Sequence, residues 1–214
     1  MAVIHETTMR PTKLELLAAW LPGREWFTGT EASPAKAGGF RLDDPAGEVG
    51  IEFMAVTDRD GAAYLVPLTY RAAPLPGAGH ALVGTSEHGV LGTRWIYDGA
   101  HDPVLVAQLY ALLTGRTRAQ DQNLSDAVDP TVTVTAAAPA GPSDAEPAGV
   151  VDGPGHTDVV VRAGGAAPTL RLSRRLRPGS EATPTAGGRV EAEWRLSDGT
   201  RARGTYALLL PDGS

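Results

Sequence analysis

The sequence predicts an α+β fold in which two helices pack on a curved antiparallel sheet. Short β-like runs follow one another along the chain with turn residues between them, as in antiparallel sheets. Only two segments show the spacing of apolar residues that is typical of an amphipathic helix. The chain has 214 residues, of which 42% are hydrophobic, and this is enough to bury a core.

The first helix is predicted to begin after Thr12 and to end at Pro22-Gly23. Thr12 and Glu15 have the Thr-x-x-Glu spacing of a capping box, which marks a helix N-terminus. Apolar residues then recur at helical spacing; they are Leu14, Leu17, Ala18 and Leu21, with Leu16 and Trp20 beside them. Residues 2–7 are predicted to form a short strand before this helix.

The segment after the first helix is predicted to form five strands and a second helix. Asp60-Gly61 gives the strongest hairpin signal in the chain. Asp102-Pro103 starts the second helix, because proline is favoured in a first turn, and Gly115 ends it. The predicted strands are residues 39–43, 48–57, 63–71, 80–84 and 93–98.

A change in composition separates the two halves of the chain. Residues 131–135 alternate Thr and Val as a strand does, whereas residues 136–149 are rich in Ala, Pro and Gly. We therefore predict a domain over residues 1–120, a linker or long loop over 121–150, and a β-rich region over 151–214. The strands predicted in this last region are residues 156–162, 169–176, 189–196 and 203–210.

Composition excludes several classes of function. A net charge of -6 argues against nucleic acid as a partner, because such binders concentrate Lys and Arg. The absence of cysteine excludes disulfides, thiolate nucleophiles and cysteine-based zinc sites. No run approaches the about 18 apolar residues that span a bilayer, and no signal peptide is recognised, so we expect a cytoplasmic protein.

Few residues are candidates for chemistry or binding. The five histidines are scattered without metal-ligand spacing, so we expect no metal site. Glu87 and His88 are interpreted either as a base with its orienting carboxylate or as a loop pair that bonds to backbone. Trp26 is predicted to be an exposed contact, whereas Trp20 and Trp95 are assigned to packing.

Arginines form a basic run near the end of the chain. They are interpreted as a solvated face, with an anion site as the alternative, and are Arg171, Arg174, Arg175 and Arg177.

Five blocks of the chain, in the same order, resemble the N-terminal cap of bacterial maltokinases and related aminoglycoside-kinase-like sugar kinases. The blocks are residues 12–17 (TKLELL), 20–22 (WLP), 43–50 (DDPAGEVG), 66–71 (VPLTYR) and 87–98 (EHGVLGTRWIYD). The resemblance implies a cystatin-like cap of helix and curved sheet. It also implies that a short protein can carry the cap without a kinase.

The second half resembles a degenerate kinase small lobe, through residues 157–161 (TDVVV), 170–179 (LRLSRRLRPG) and 193–199 (EWRLSDG). Arg171 stands where the family has its phosphate-binding lysine, and an arginine is no simple substitute for it. Residues 180–188, with Pro184 and two glycines, cannot form the family's regulatory helix. No catalytic aspartate or magnesium ligands follow Leu210, so we expect neither kinase activity nor a cofactor.

These inferences predict a non-catalytic accessory or regulatory protein of α-glucan, maltose or trehalose metabolism. We expect a protein partner in glucan metabolism, with an oligosaccharide as a further ligand. The alternatives are the N-terminal half of a split sugar kinase and a stand-alone carbohydrate-binding module. The candidate interaction residues are Trp26, Glu87, His88 and Arg94; no catalytic residue is assigned.

Overall fold

The computed structural model describes residues 9–124, 127–137, 145–179 and 186–212. Its helices are α1, Lys13–Trp20, and α2, Pro103–Leu113. Its strands are β1 (Met9–Arg10), β2 (Ala35–Leu42), β3 (Gly50–Thr57), β4 (Ala63–Arg71), β5 (Leu82–His88), β6 (Gly92–Asp98), β7 (Thr133–Thr135), β8 (Glu146–Asp152), β9 (His156–Arg162), β10 (Thr169–Ser173), β11 (Arg175–Leu176), β12 (Gly188–Arg195) and β13 (Arg201–Leu210). The strand predicted at residues 2–7 lies outside the described residues.

Both predicted helices are confirmed, together with the signals that start them. The backbone N–H of Glu15 donates to Thr12 Oγ1, and the backbone N–H of Thr12 donates to Glu15 Oε2 at 2.7 Å, which completes the capping box. Asp102 caps α2 by accepting from the N–H of Val104 at 3.0 Å. Pro103 occupies the first turn, where its missing N–H is not needed.

The strands of the described residues form one open antiparallel sheet. Its order is β1-β5-β6-β4-β3-β2-β12-β13-β10-β9-β8, and β11 and β7 add to β4 and β12 outside this path. The predicted α+β class, with two helices on an antiparallel sheet, is confirmed. Strands of the second half continue the sheet of the first, because β12 pairs with β2 at Trp194 and Gly38. The division into a domain, a linker and a small-lobe-like region stays a prediction.

Strands β3 and β4 lie at the centre of the molecule, because both of their faces are buried. Phe53 and Leu65 point to the side covered by α2, where Phe53 stacks on Phe40 at 4.6 Å between ring centroids. Met54 and Tyr64 point to the opposite side, which packs against α1. Side chains alternate along a strand, so Glu52 shares the α1 side with Met54.

Strand β2, Ala35–Leu42, and strand β5, Leu82–His88, are shifted from the predicted residues 39–43 and 80–84. Two further differences affect which strands pair. Residues 146–149, predicted as loop, begin strand β8 and pair with β9. Residues 169–176, predicted as one strand, are split at Arg174 into β10, which pairs with β9 and β13, and β11, which pairs with β4. The chain changes neighbours at Arg174, and local patterning carries no information about that change.

Neither α1 nor α2 has the combination of length and apolar character that crossing a membrane requires, and no other helix in the described ranges has it.

Candidate functional site

A cavity of about 450 Å³ opens beside α1, between strands β2 to β4 and the turn that joins β5 to β6. We call it the cap cavity. Its apolar lining is Met9, Val49, Ile51 and Leu91, with backbone of Gly47 and Gly50. Its polar lining is Lys13, Lys36, Arg41, Asp44, Glu48, Glu52, Tyr70, His88, Arg94 and Gln122. This volume lies within the about 300–1,000 Å³ that is usual for small-molecule sites.

A buried carboxylate, Glu52, organises the polar part of this lining. Its Oε2 accepts from Lys13 Nζ at 2.6 Å and from the Tyr70 hydroxyl at 2.5 Å. Its Oε1 accepts from Gln122 Nε2 at 3.1 Å. Three elements that are distant in sequence, α1, β4 and the segment after α2, are thereby joined through one side chain of β3. Such charge-assisted bonds fix the orientation of every group involved.

Glu52 is ionised at neutral pH despite its burial. Burial alone would raise the pKa of Glu52, but the ammonium of Lys13 and the hydrogen bonds from Lys13 and Tyr70 together lower it. The pKa of Tyr70 is raised well above its usual value by burial and by the neighbouring Glu52 charge. The tyrosine therefore stays protonated and acts only as a hydrogen-bond donor to the carboxylate.

Gly39 allows the segment after α2 to reach this carboxylate. Its φ of +123° is a conformation that favours glycine. A Cβ at this position would lie 1.9 Å from the carbonyl oxygen of Phe53 and 2.8 Å from Gln122 Nε2. The absence of a side chain at Gly39 thus keeps open both the β2–β3 pairing and the path of Gln122 to Glu52.

One side of the cavity mouth is a loop held by Asp44. Its carboxylate accepts from the backbone N–H groups of Ala46, Glu48 and Val49 at 3.0, 2.9 and 2.9 Å. This is an Asx-type loop, in which a short acidic side chain replaces backbone pairing. It presents the exposed side chain of Glu48 at the mouth.

Cationic side chains occupy other parts of the lining. Arg41 donates to the backbone carbonyls of Asp121 and Leu124 at 3.0 and 3.3 Å rather than to a carboxylate. Lys36 is exposed and Arg94 is half-buried. Across the ranges that the structure describes, neither Lys36 nor Arg94 forms a salt bridge within 4.0 Å.

Two of the four predicted interaction residues, His88 and Arg94, line the cap cavity, whereas Glu87 and Trp26 do not. Glu87 and His88 are consecutive on β5, so they point to opposite faces. Glu87 Oε1 accepts from Thr93 Oγ1 at 2.6 Å. His88 Nδ1 accepts from a backbone N–H at 3.1 Å in the following turn. The pair therefore lies at the end of a strand and not in a loop, and only His88 bonds to backbone; opposite faces do not favour a base with its orienting carboxylate.

The prediction that Trp26 is an exposed contact is wrong. Its side chain is 0% exposed and lies between Trp20 and Tyr64, with ring centroids 5.8 and 6.1 Å away. The chain turns back over β4 after α1, which places the indole in the core on the α1 side. A single sequence does not reveal such a turn, because a tryptophan after a helix stop is compatible with either environment.

Arg174 is buried, so the interpretation of the basic run as a solvated face is wrong at this position. It is 0% exposed and its Nη2 donates to both oxygens of Asp98, at 2.8 and 2.6 Å. Its Nε donates to Thr157 at 2.6 Å, and its guanidinium carbon lies 4.9 Å from the Trp26 ring centroid. Arg174 thus connects β6 of the first half to β9 of the second.

Arg171, predicted to stand in place of the phosphate-binding lysine, is held by Asp158. Its Nε and Nη2 donate to the two carboxylate oxygens, each at 2.7 Å. A phosphate would have to compete with this bidentate pair. Within the described part of the chain, no three His, Asp or Glu side chains come together as metal ligands do.

The residues at the centre of the cavity were not singled out from the sequence. Glu52 could have been recognised from the sequence, because it is a carboxylate in the otherwise apolar run Ile51-Glu52-Phe53-Met54. A charge buried in such a strand needs partners. Its partners Lys13, Tyr70 and Gln122 come from three other segments. Only the folded chain reveals that they meet.

Most residues of the cavity lining lie in a segment that matches a known protein family. Residues 20–102 match the family model of the maltokinase N-terminal cap domain. The match begins at the last residue of α1 and ends at the residue that caps α2. It covers a cap domain and not a kinase catalytic domain. The cap cavity lies mainly within it, with Met9, Lys13 and Gln122 contributed from outside. Residues 20–102 of the chain are therefore similar to the maltokinase N-terminal cap domain.

Proposed function

We propose that this protein is a non-catalytic accessory protein of maltose, trehalose or α-glucan metabolism that binds carbohydrate in the cap cavity. The family match supports the area of metabolism, since caps of this kind take their name from maltokinase. The observation that carries the proposal is the ordered polar network around Glu52 in a cavity of about 450 Å³.

The chemistry of the lining suits a sugar. Each sugar hydroxyl both donates and accepts, so a site for it needs both kinds of group. The cavity offers donors from Lys13 and Arg94, an acceptor in Glu48, and both kinds in the amide of Gln122. Leu91, which is 45% exposed, supplies apolar surface for the C–H face of a ring.

The test is isothermal titration calorimetry of the purified protein with glucose, maltose, trehalose and maltotriose. Saturable binding of at least one of these sugars is expected, and it should weaken when Gln122 is replaced by Ala. Arg162, an exposed residue of β9 outside the cavity lining, provides the matched control as Arg162→Gln, which should bind like the wild type. Absence of heat with every sugar would refute carbohydrate binding.

A protein partner is the second candidate, and one surface favours it. Val90 and Leu91, at the turn between β5 and β6, are 63% and 45% exposed. Exposed apolar side chains placed together can mark an interaction surface. If this turn binds a partner, the variant Val90→Ser/Leu91→Ser should lose a protein that the wild type retains in affinity capture. An unchanged set of captured proteins would count against it.

The split-kinase alternative receives no support from the contacts of Arg171. Nucleotide binding through this residue would require Asp158 to release it. A melting temperature that does not change on addition of ATP and magnesium is the expected result. A rise in that temperature which disappears in Arg171→Gln would instead favour the split kinase.

A further inference from the structure

We infer that the cap cavity takes an anionic sugar, one that carries a phosphate or a carboxylate group. This inference rests on the proposed carbohydrate binding and narrows its ligand class. It follows from which charges in the lining are already neutralised within the protein and which remain available.

The two buried carboxylates of the lining are already satisfied. Asp44 is 7% exposed, and its oxygens accept from three backbone N–H groups of its own loop. Glu52 is 5% exposed and is paired with Lys13 at 2.6 Å. The ammonium of Lys13 neutralises the charge of Glu52, whereas Asp44 keeps its negative charge because its N–H partners are neutral. Glu48 remains as the exposed acidic group at the mouth.

Three cations of the lining are not neutralised by a carboxylate in the described residues. Lys36 and Arg94 make no salt bridge, and Arg41 donates to two carbonyl oxygens, which carry no net charge. Against these three stand two carboxylates, the exposed Glu48 and the buried Asp44, whose partners are neutral N–H groups. The cavity therefore keeps an excess of positive charge in a protein whose net charge is -6.

Because the cavity is positively charged while the protein as a whole is negatively charged, the cavity favours an anionic ligand. A concave site lined by one sign of charge concentrates ligands of the opposite sign, since its walls limit screening by water. The planar guanidinium of Arg94 also matches the oxygen spacing of a phosphate or carboxylate, which a hydroxyl does not exploit. The side chains that are hydrogen-bonded to Glu52 then contact the hydroxyl groups of the sugar.

The experiment measures affinity by calorimetry for glucose, glucose 1-phosphate, glucose 6-phosphate, glucuronate and inorganic phosphate. At least one anionic sugar should bind about tenfold or more tightly than glucose, since one charge-assisted bond contributes that much. Its affinity should fall as salt is raised. The sugar phosphates and glucuronate together show whether phosphate or carboxylate is the anionic group.

Variants assign the effect to the cavity. Arg94→Gln should weaken the anionic sugar by about tenfold and weaken glucose much less, because the glutamine amide still donates a hydrogen bond but carries no charge. Glu48→Gln should strengthen the anionic sugar, because it removes an opposing charge. Arg162→Gln removes one positive charge elsewhere and should change neither. Thermal melting of each variant checks that the fold is kept.

The outcomes separate this inference from the proposed function. Equal affinity for glucose and every anionic sugar, unaffected by Arg94→Gln, would overturn the anionic ligand while leaving carbohydrate binding in place. Binding of inorganic phosphate as tight as that of the sugar phosphates would overturn recognition of a sugar. Absence of binding by all five compounds would overturn the anionic ligand, and carbohydrate binding would be overturned as well only if maltose, trehalose and maltotriose also failed to bind.

Discussion

Replacing Arg174 by Met is the perturbation whose effect follows most directly from the structure. The methionine side chain keeps most of the apolar volume but removes the guanidinium. Asp98, which is 3% exposed, then loses the cation that lies 2.6 Å away. Thr157 loses a donor as well. Breaking a buried pair from one side costs about 3–5 kcal/mol, because a desolvated charge is left without a partner.

Arg171→Met is the matched control for this experiment. Arg171 also pairs with an aspartate, Asp158, at 2.7 Å, but the two side chains are 34% and 24% exposed. Water solvates the partner that remains, so the expected loss is about 0–1 kcal/mol. The two variants remove the same side chain from positions three residues apart and differ mainly in burial.

The assay is equilibrium unfolding in urea, followed by far-ultraviolet circular dichroism, with the free energy of unfolding extrapolated to water. In Arg174→Met/Asp98→Asn part of the stability should return, since the uncompensated charge is gone. If Arg174→Met costs no more than Arg171→Met, Arg174 does not connect the two halves of the sheet and the argument fails.

Three further predictions concern other positions. Gly39→Ala should lower the free energy of unfolding by about 3 kcal/mol or more, because backbone strain adds to an overlap of the new Cβ with a carbonyl of β3. Gly47 has a φ of +70° and open space around it, so Gly47→Ala should cost only about 1 kcal/mol in the same urea assay. Glu52→Gln should be less stable than wild type at neutral pH. The pKa of Glu52 is lowered in the folded protein, so its contribution to stability is lost as the pH falls through that pKa. The melting temperatures of the wild type and of Glu52→Gln should therefore converge in acid, and a difference that does not change with pH would contradict this. Asp102→Ala removes the cap of α2 and the bidentate partner of Arg71, whose two bonds to Asp102 are each 2.6 Å long. The free energy of unfolding in urea should fall by about 3 kcal/mol. A loss smaller than that of Gly47→Ala would contradict the stabilising role of Asp102.

Local signals predicted much of the fold. The capping box at Thr12 and Glu15, the proline start of α2 and the Asp60-Gly61 turn act over a few residues, so they can be recognised without tertiary information. β4 and β9 were predicted with the bounds that the structure has. The sheet order was not predictable in this way, because antiparallel pairing depends on which faces meet and not on local pattern.

The candidate site was only partly predictable, for a related reason. His88 and Arg94, two of the candidate interaction residues named from the sequence, lie in the cavity lining, although the cavity itself was not predicted. Trp26 was misassigned because its environment depends on a loop that folds back over the sheet. Glu52 acquires its importance from partners 39, 18 and 70 residues away in sequence, and no local pattern connects positions so far apart.

An amide NMR titration tests the central claim, carbohydrate binding in the cap cavity, most directly. Maltose and glucose 1-phosphate would be added to the isotope-labelled protein, and each shifted amide would be placed on the structure. We predict saturable shifts confined to amides near Glu48, Glu52 and Arg94, the larger set coming from glucose 1-phosphate. An unchanged spectrum, or shifts centred on Arg171 at the far part of the sheet order, would contradict it.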